Sequence, residues 1–205
     1  MGNELLDLSP VMPVVVLDEV ADAVPVARAL LAGGIRVIEL TLRTPVALAA
    51  IERVAAEVPE IVVGAGTVTT PEQAKQAADA GAKFLVTPGC TDRMLEAVVG
   101  TGLPFLPGAG TVSEAMRLAE QGLTALKFFP AEPSGGVPFL KAIAGPLPGL
   151  RFCPTGGITP ETAPAYLALP SVGCVGGSWL TPKDALAAKD FDRVTALARE
   201  AAALR

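Results

Sequence analysis

Residues 37–43 read V-I-E-L-T-L-R, a run in which charged or hydroxylated side chains alternate with aliphatic ones. Because successive side chains of a β-strand point to opposite faces, Glu39, Thr41 and Arg43 share one face of this predicted strand. The aliphatic face is expected to pack beneath helices. The run therefore predicts one strand of a helix-covered sheet, with a polar opposite face.

Seven other short apolar or β-branched runs divide the chain at similar intervals, and the starts of neighbouring runs lie 20–26 residues apart. Between them lie Ala-, Leu- and Glu-rich stretches with helical spacing. Eight strand–helix units of this length indicate parallel strands that are joined by right-handed crossovers. The predicted strands are residues 14–17, 37–42, 61–63, 84–87, 104–106, 125–129, 151–153 and 172–175.

Glycines and Thr-Pro pairs mark the predicted ends and starts of helices. A glycine just past a helix end relieves the strain of a left-handed backbone, and a threonine before proline joins a capping hydroxyl to the residue favoured at the first helical position. The glycines are Gly34, Gly81, Gly102, Gly122 and Gly149, and the pairs begin at Thr44, Thr70 and Thr159.

Eight units favour a closed barrel over a doubly wound sheet, which usually has fewer strands and a phosphate loop after the first one. We therefore predict an α/β protein in which residues 1–205 form a single (β/α)₈ TIM barrel. The active site of such a barrel lies at the C-terminal ends of its strands. Glu39 would then point into the barrel and Arg43 would lie at its mouth, unless the two form a purely structural ion pair.

The composition of the chain excludes several kinds of site. It contains no histidine, so acid–base chemistry falls to other side chains, and its net charge of −5 argues against binding to a nucleic-acid backbone. The three cysteines suit neither a disulfide framework nor a zinc site. With no signal peptide and no membrane-length apolar run, the expected location is the cytoplasm.

The run A-L-K-F-F-P at residues 125–130 places a lysine inside a predicted strand. Lys127 and Phe129 share one face, so the amine lies inside the barrel beside an aromatic ring. Burial disfavours the charged form of an amine, and a neutral amine is the nucleophile of Schiff-base chemistry. We expect this role for Lys127, the alternatives being a structural pair with Glu39 or a strand register shifted by one residue.

Two paired glycines follow the last predicted strands, in C-P-T-G-G-I and C-V-G-G-S-W. Exposed backbone N–H groups at Gly156, Gly157 and Gly177, with the hydroxyl of Ser178, are typical of a phosphate grip after strands seven and eight. The two GAGT segments lack the third glycine of a dinucleotide fingerprint, and no lysine precedes Ser or Thr as in a P-loop. Thr67, in the first of them, could donate to a substrate carboxylate.

Five segments, in order, resemble the 2-keto-3-deoxy-6-phosphogluconate aldolases, also called 4-hydroxy-2-oxoglutarate aldolases. They are VIELTLRT at 37–44, VGAGTV at 63–68, LKFFPAE at 126–132, RFCPTGGI at 151–158 and VGGSWL at 175–180. The resemblance implies a class I aldolase of the Entner–Doudoroff route, a homotrimer of (β/α)₈ barrels without metal or cofactor besides a covalent lysine imine. Its reactions would release pyruvate together with glyceraldehyde 3-phosphate or glyoxylate.

The resemblance also implies a role for each matching residue. Lys127 would form the imine and Glu39 would be the acid–base group. Substrate contacts would come from Arg43 and Thr67 at the carboxylate, from Pro88 along the pocket, and from Gly156, Gly157 and Ser178 at the phosphate. The strand and loop patterns add Phe129 to the pocket and Gly177 to the phosphate site. The partners implied are small 2-keto acids and phosphorylated aldehydes.

Two other functions share part of this pattern. A phosphosugar isomerase or epimerase on a phosphate-binding barrel would use the same glycine loops but needs acid–base pairs in place of an inward lysine. A catalytically silent barrel could bind a sugar phosphate as a sensor. Trapping of a lysine–substrate adduct separates both alternatives from an aldolase.

Overall fold

The computed structural model describes residues 2–204, and its strands are parallel throughout. Alternation of strands and helices confirms the predicted α/β class. The strands are β1 (Val11–Val15), β2 (Val37–Thr41), β3 (Val62–Gly66), β4 (Leu85–Val86), β5 (Phe105–Leu106), β6 (Gly108–Ala109), β7 (Ala125–Phe128), β8 (Arg151–Pro154) and β9 (Val175–Gly177).

Hydrogen bonding divides these strands into two curled parallel sheets. One sheet has the order β5-β4-β3-β2-β1-β9 and the other has the order β6-β7-β8. Isolated parallel bridges join Phe152 to Val172 and Thr155 to Gly176, between the chain of β8 and that of β9. At the other junction, the backbone N–H of Gly108 donates to Thr87 Oγ1 at 3.2 Å.

The helices cover the sheets and bury their aliphatic faces. Four phenylalanines of the core, Phe84, Phe105, Phe128 and Phe152, are almost completely buried, and each contributes about 1.5–3 kcal/mol by leaving water. The helices are α1 (Ala23–Ala32), α2 (Ala47–Glu57), α3 (Pro71–Asp79), α4 (Asp92–Gly100), α5 (Val112–Glu120), α6 (Gly136–Ala144), α7 (Ala163–Leu167), α8 (Lys183–Ala187) and α9 (Phe191–Ala202).

Strand boundaries differ from the sequence prediction where proline and glycine are involved. β1 begins three residues earlier than predicted and includes Pro13, because its partner β9 extends through Gly177 opposite that proline. The predicted fifth strand is confirmed as β5, and the sequence did not indicate β6, which is separated from β5 by Pro107, a residue with no N–H to donate to a sheet. The prediction of a loop at the second glycine pair is wrong, since both of its glycines belong to β9.

Helix ends follow the predicted glycines better than helix starts follow the Thr-Pro pairs. Four of the five glycines have a positive φ, Gly149 being the exception. Thr70 caps α3 with a complete capping box, as predicted. The prediction for Thr44 is wrong, because its hydroxyl donates to Leu17 O at 2.6 Å. The Thr159 hydroxyl accepts from the Thr162 N–H at 3.4 Å, but a turn follows it and α7 begins only at Ala163. Within residues 2–204, no helix has the length and apolar character needed to cross a bilayer.

Candidate active site

Lys127 on β7 and Glu39 on β2 form a buried ion pair, named here the floor pair. Lys127 Nζ lies 3.5 Å from Glu39 Oε1, and the two side chains are only 5% and 2% exposed. The strand-parity prediction that both residues point inward is confirmed. The alternative pair of Glu39 with Arg43 does not form, because Arg43 Nε donates to Thr67 Oγ1 at 3.2 Å.

The glycines of β3 make room for the floor pair. A Cβ atom on Gly66 would lie 2.0 Å from Glu39 Oε1, and one on Gly64 would lie 2.4 Å from the ring of Phe84. A real Cβ cannot approach this closely unless the neighbouring side chain moves, so both positions favour glycine. The first GAGT segment therefore supplies interior space for a carboxylate and an aromatic ring.

A cleft of about 330 Å³ lies beside the floor pair. One lining residue, Val14, is the register partner of Glu39 on the neighbouring strand. Another is Phe129, whose ring centroid lies 5.3 Å from Lys127 Nζ, within the range of a cation–π contact. The lining residues are Val14, Val16, Arg43, Phe129, Thr155, Gly156, Gly157, Ile158, Gly176, Gly177 and Ser178.

Arg43 brings a cation to one side of this cleft. Its guanidinium forms no ion pair with any carboxylate of residues 2–204. Its partner Thr67 has a φ of 56°, a left-handed conformation that is strained for a side chain with a branched Cβ. The unpaired guanidinium is suited to a carboxylate ligand, which Arg can hold through two parallel hydrogen bonds.

Gly156 and Gly157, named here the diglycine loop, lie on another side of the cleft. Their φ values of 107° and 83° place both in the region that favours glycine. Neither backbone N–H donates a hydrogen bond to any acceptor in the described part of the chain. Ser178 is exposed next to them and lines the same cleft. Free N–H groups and a hydroxyl at one place are suited to an anion.

Two predicted site residues occupy positions that the sequence did not indicate. Gly177 lines the cleft from within β9, and a Cβ there would lie 1.9 Å from the Trp179 ring. Pro88 is not among the residues that line this cleft. Its carbonyl oxygen packs against Gly108, which is the register partner of Lys127.

Residues 3–197 match the family described as KDPG and KHG aldolase. The chain belongs to this family. The family resemblance seen in the sequence is thus confirmed.

Two curated relatives of the KDPG and KHG aldolase family are each 54% identical to this chain. The 2-dehydro-3-deoxy-phosphogluconate aldolase of Dickeya dadantii aligns over 202 residues, which are 98% of this chain and 95% of the relative. The KHG/KDPG aldolase of Escherichia coli K12 aligns over 200 residues, 98% and 94% of the two chains.

A solved KDPG aldolase from Legionella pneumophila has the same fold as this chain. It superposes with a TM-score of 0.96 at 44% identity and covers 98% of each chain. In that crystal structure, pyruvate was captured at low pH as a covalent carbinolamine intermediate. A carbinolamine is the addition product of an amine and a carbonyl. In this chain, Lys127 of the floor pair is a buried amine next to the cleft.

One polar side chain in the cleft of this KDPG and KHG aldolase family member was missed in the sequence. Thr155 is 7% exposed and lines the cleft directly before the diglycine loop. Its Oγ1 would lie 2.1 Å from a Cβ on Gly176, so the hydroxyl fills the space that this glycine leaves. The signal was its place in C-P-T-G-G, at the end of a strand.

Residues 2–204 bring no three histidine, cysteine, aspartate or glutamate side chains together as a metal site. The three cysteines are free thiols, and burial raises the pKa of the Cys90 thiol. The polar groups next to the cleft are therefore the floor pair, Arg43 with Thr67, and the donors near the diglycine loop.

Proposed function

We propose that this chain is a class I aldolase that cleaves 2-keto-3-deoxy-6-phosphogluconate to pyruvate and glyceraldehyde 3-phosphate. One observation carries the proposal: a lysine and a glutamate, 3.5 Å apart and nearly excluded from water, lie beside a cleft with an unpaired arginine. The family and its relatives support the same reaction.

The first step makes the imine. A proton passes from the Lys127 ammonium to Glu39, and the free amine attacks the C2 carbonyl of the substrate. The nitrogen–carbon bond forms while the carbonyl electrons move to oxygen, and a proton moves from nitrogen to that oxygen. Glu39 then protonates the resulting hydroxyl, which leaves as water. The product is a positively charged iminium that draws electrons from the neighbouring carbon.

Cleavage uses the same glutamate in its ionised form. Glu39, directly or through a water, accepts the proton of the C4 hydroxyl, and the C3–C4 bond breaks. The bonding electrons move to C3 and the iminium becomes a neutral enamine, while C4 leaves as the aldehyde of glyceraldehyde 3-phosphate. Glu39 returns its proton to C3, and water hydrolyses the new iminium to pyruvate and Lys127.

The two ends of the substrate are held at separate places. Arg43 binds the carboxylate through two guanidinium N–H groups. Thr67 holds the arginine through the 3.2 Å hydrogen bond from Arg43 Nε, and its own hydroxyl donates to the substrate carboxylate. The diglycine loop, Gly177 and Ser178 bind the phosphate. Phe129 lines the pocket near Lys127, and Pro88 acts on it from behind, through its contact with Gly108, the register partner of Lys127.

The same site also cleaves 4-hydroxy-2-oxoglutarate to pyruvate and glyoxylate. This substrate has the same 2-keto acid end and lacks the phosphate, so it needs the floor pair and Arg43 but not the diglycine loop. The joint name of the family and of the Escherichia coli relative supports this second substrate.

We also propose that the fold is a closed barrel and that residues 1–205 belong to one domain. β5 and β6 count as one strand that is broken at Pro107, which gives eight strands. The bridge from Thr155 to Gly176 and the Gly108–Thr87 hydrogen bond join the two sheets at their edges. By family resemblance the enzyme is a homotrimer, and its free thiols are consistent with a reducing cytoplasm.

Reduction with borohydride in the presence of pyruvate tests the proposed function. We expect a pyruvyl adduct on the peptide that contains Lys127, seen by mass spectrometry, and complete loss of activity. Lys127→Arg keeps the charge opposite Glu39 but cannot form an imine, so it should neither be labelled nor cleave substrate. Lys83→Arg, at an exposed lysine, is the matched control that should behave like the parent. Full catalysis without an adduct on Lys127 would contradict the proposal.

A further inference from the structure

Tyr166, the one tyrosine in the sequence, lies on α7 with a hydroxyl directed to the connection between β7 and α6. The residue is only 1% exposed, and its hydroxyl donates a hydrogen bond to Glu132 Oε1. Burial and this carboxylate raise the pKa of Tyr166, so the phenol stays protonated and remains a donor. The reaction as derived above uses neither residue.

Glu132 packs directly on the diglycine loop. A Cβ on Gly157 would lie 2.8 Å from Glu132 Cγ, so the stem of the glutamate covers this glycine. The backbone N–H of Glu132 donates to Gly156 O at 3.0 Å, and that of Ala131 donates to Thr155 O at 2.8 Å. Contacts from residues 131–132 therefore fix the diglycine loop on its N-terminal side.

Tyr166 holds the chain on the C-terminal side of the diglycine loop, because it lies on α7, the first helix after that loop. A Cβ on Gly136 would lie 2.9 Å from the Tyr166 hydroxyl, so the phenol fits against the start of α6 while it bonds Glu132. The chain from the diglycine loop through α7 is thus closed into a ring by one side-chain hydrogen bond.

A positively charged side chain would be the expected neighbour of a phosphate on electrostatic grounds, yet Glu132 carries a negative charge. Its location is explained by its contacts, since its stem covers Gly157 while its carboxylate accepts from Tyr166. Two successive glycines have unusual backbone freedom, and a loop that is ordered only when ligand binds weakens binding by the cost of that ordering.

We propose that Glu132 and Tyr166 are positioning residues for the substrate phosphate, which hold the diglycine loop with its two free N–H groups ready for the anion. The proposal rests on the proposed function and extends it to residues outside the cleft. Neither side chain touches the reacting atoms. Their removal should therefore weaken binding of the phosphorylated end and leave imine chemistry at Lys127 intact.

The test compares a phosphorylated with a phosphate-free ligand. Tyr166→Phe should raise KM for 2-keto-3-deoxy-6-phosphogluconate about fivefold, the effect of one net hydrogen bond. The pyruvate concentration that half-saturates borohydride inactivation should stay within about twofold of the parent, because pyruvate has no phosphate for the loop to bind. Glu132→Ala should act like Tyr166→Phe, and the double variant should add little, since both break the same contact.

Two further variants exclude a merely structural effect. Glu132→Gln keeps the covering stem and an oxygen acceptor for Tyr166, so its KM should be no higher than that of the parent. Thr195→Val removes another half-buried hydroxyl, which donates to Ala29 O at 3.1 Å far from the cleft. It should change neither the KM for the phosphorylated substrate nor the half-saturating pyruvate concentration.

Equal effects of Tyr166→Phe on both ligands, or none on either, would overturn the positioning role. A high KM in Glu132→Gln, equal to that of Glu132→Ala, would overturn it as well. If the parent neither forms the pyruvate adduct nor cleaves substrate, the proposed function fails and the phosphate role fails with it.

Discussion

The floor pair and the diglycine loop lie next to one cleft but carry their chemistry on different parts of the chain. Lys127 and Glu39 act through side chains that are almost entirely enclosed, at 5% and 2% exposure. The diglycine loop offers only backbone N–H groups, which donate to no acceptor within residues 2–204.

The difference follows from what each region binds. A nucleophilic amine and a proton carrier must be held within reach of each other, and a low-dielectric interior strengthens their interaction. A phosphate is a large, strongly hydrated anion that needs several donors and little depth. Changes at the floor should therefore affect turnover of every substrate, whereas changes near the loop should affect only phosphorylated ones.

The sharpest test of this contrast is Glu39→Gln, which keeps the shape of the side chain and removes its proton chemistry. The kcat for cleavage should fall about 10²–10⁴-fold, the usual contribution of an acid–base group. Borohydride trapping of pyruvate should remain measurable, because the amine of Lys127 is still present. The two rates are compared by steady-state assay and by mass spectrometry.

A matched carboxylate lies outside the cleft. Asp22 is 7% exposed and pairs with Lys189 at 2.7 Å. Asp22→Asn therefore removes another buried carboxylate that pairs with a lysine and should retain the parent kcat. Parallel loss of cleavage and trapping in Glu39→Gln would instead assign Glu39 a mainly structural role.

Strand parity was sufficient to place the floor pair from the sequence. A shift of one or two residues at a strand end does not change which side chains share a face, so Lys127 and Glu39 were assigned inward although the ends of their strands were misplaced. The same robustness gave the α/β class with parallel strands.

Strand parity does not indicate which residue a side chain contacts on a neighbouring strand. It also does not indicate which of two possible hydrogen bonds a side chain makes. The sequence of the GAGT segment does not indicate that Gly66 accommodates the carboxylate of Glu39 on the next strand. Thr44 has the local signal of a helix cap, yet its hydroxyl bonds Leu17 O at 2.6 Å instead. Both contacts depend on residues that are distant in sequence, which no local pattern contains.

Gly66→Ala tests whether the floor is specified by shape. The new methyl group would lie 2.0 Å from Glu39 Oε1, so the carboxylate must leave its present position beside Lys127. A displacement of about 1 Å can cost about 10²-fold in rate, and kcat should fall by that amount for phosphorylated and phosphate-free substrates alike. Overpacking should also lower the free energy of unfolding by about 1–3 kcal/mol, measured by urea denaturation.

Gly100→Ala is the control for Gly66→Ala, because no heavy atom lies within 4 Å of its added methyl group. It lies on α4, where alanine is favoured over glycine, and should leave kcat unchanged. An active Gly66→Ala variant, assayed below its unfolding temperature, would show that the floor tolerates a displaced carboxylate.

Ser178→Ala is expected to have a smaller effect than the two floor variants, and this effect is confined to the phosphate side of the cleft. A hydrogen bond to a charged group is worth about 1.5–3 kcal/mol, so KM for the phosphorylated substrate should rise about tenfold or more. The kcat should change little, because Ser178 contacts neither Lys127 nor Glu39, and KM for 4-hydroxy-2-oxoglutarate should stay at the parent value. Ser171→Ala removes a hydroxyl before β9, at the opposite end of the strand, and serves as the control. An equal rise in KM for both substrates would mean that Ser178 shapes the whole cleft, and the division between floor and loop would then be wrong.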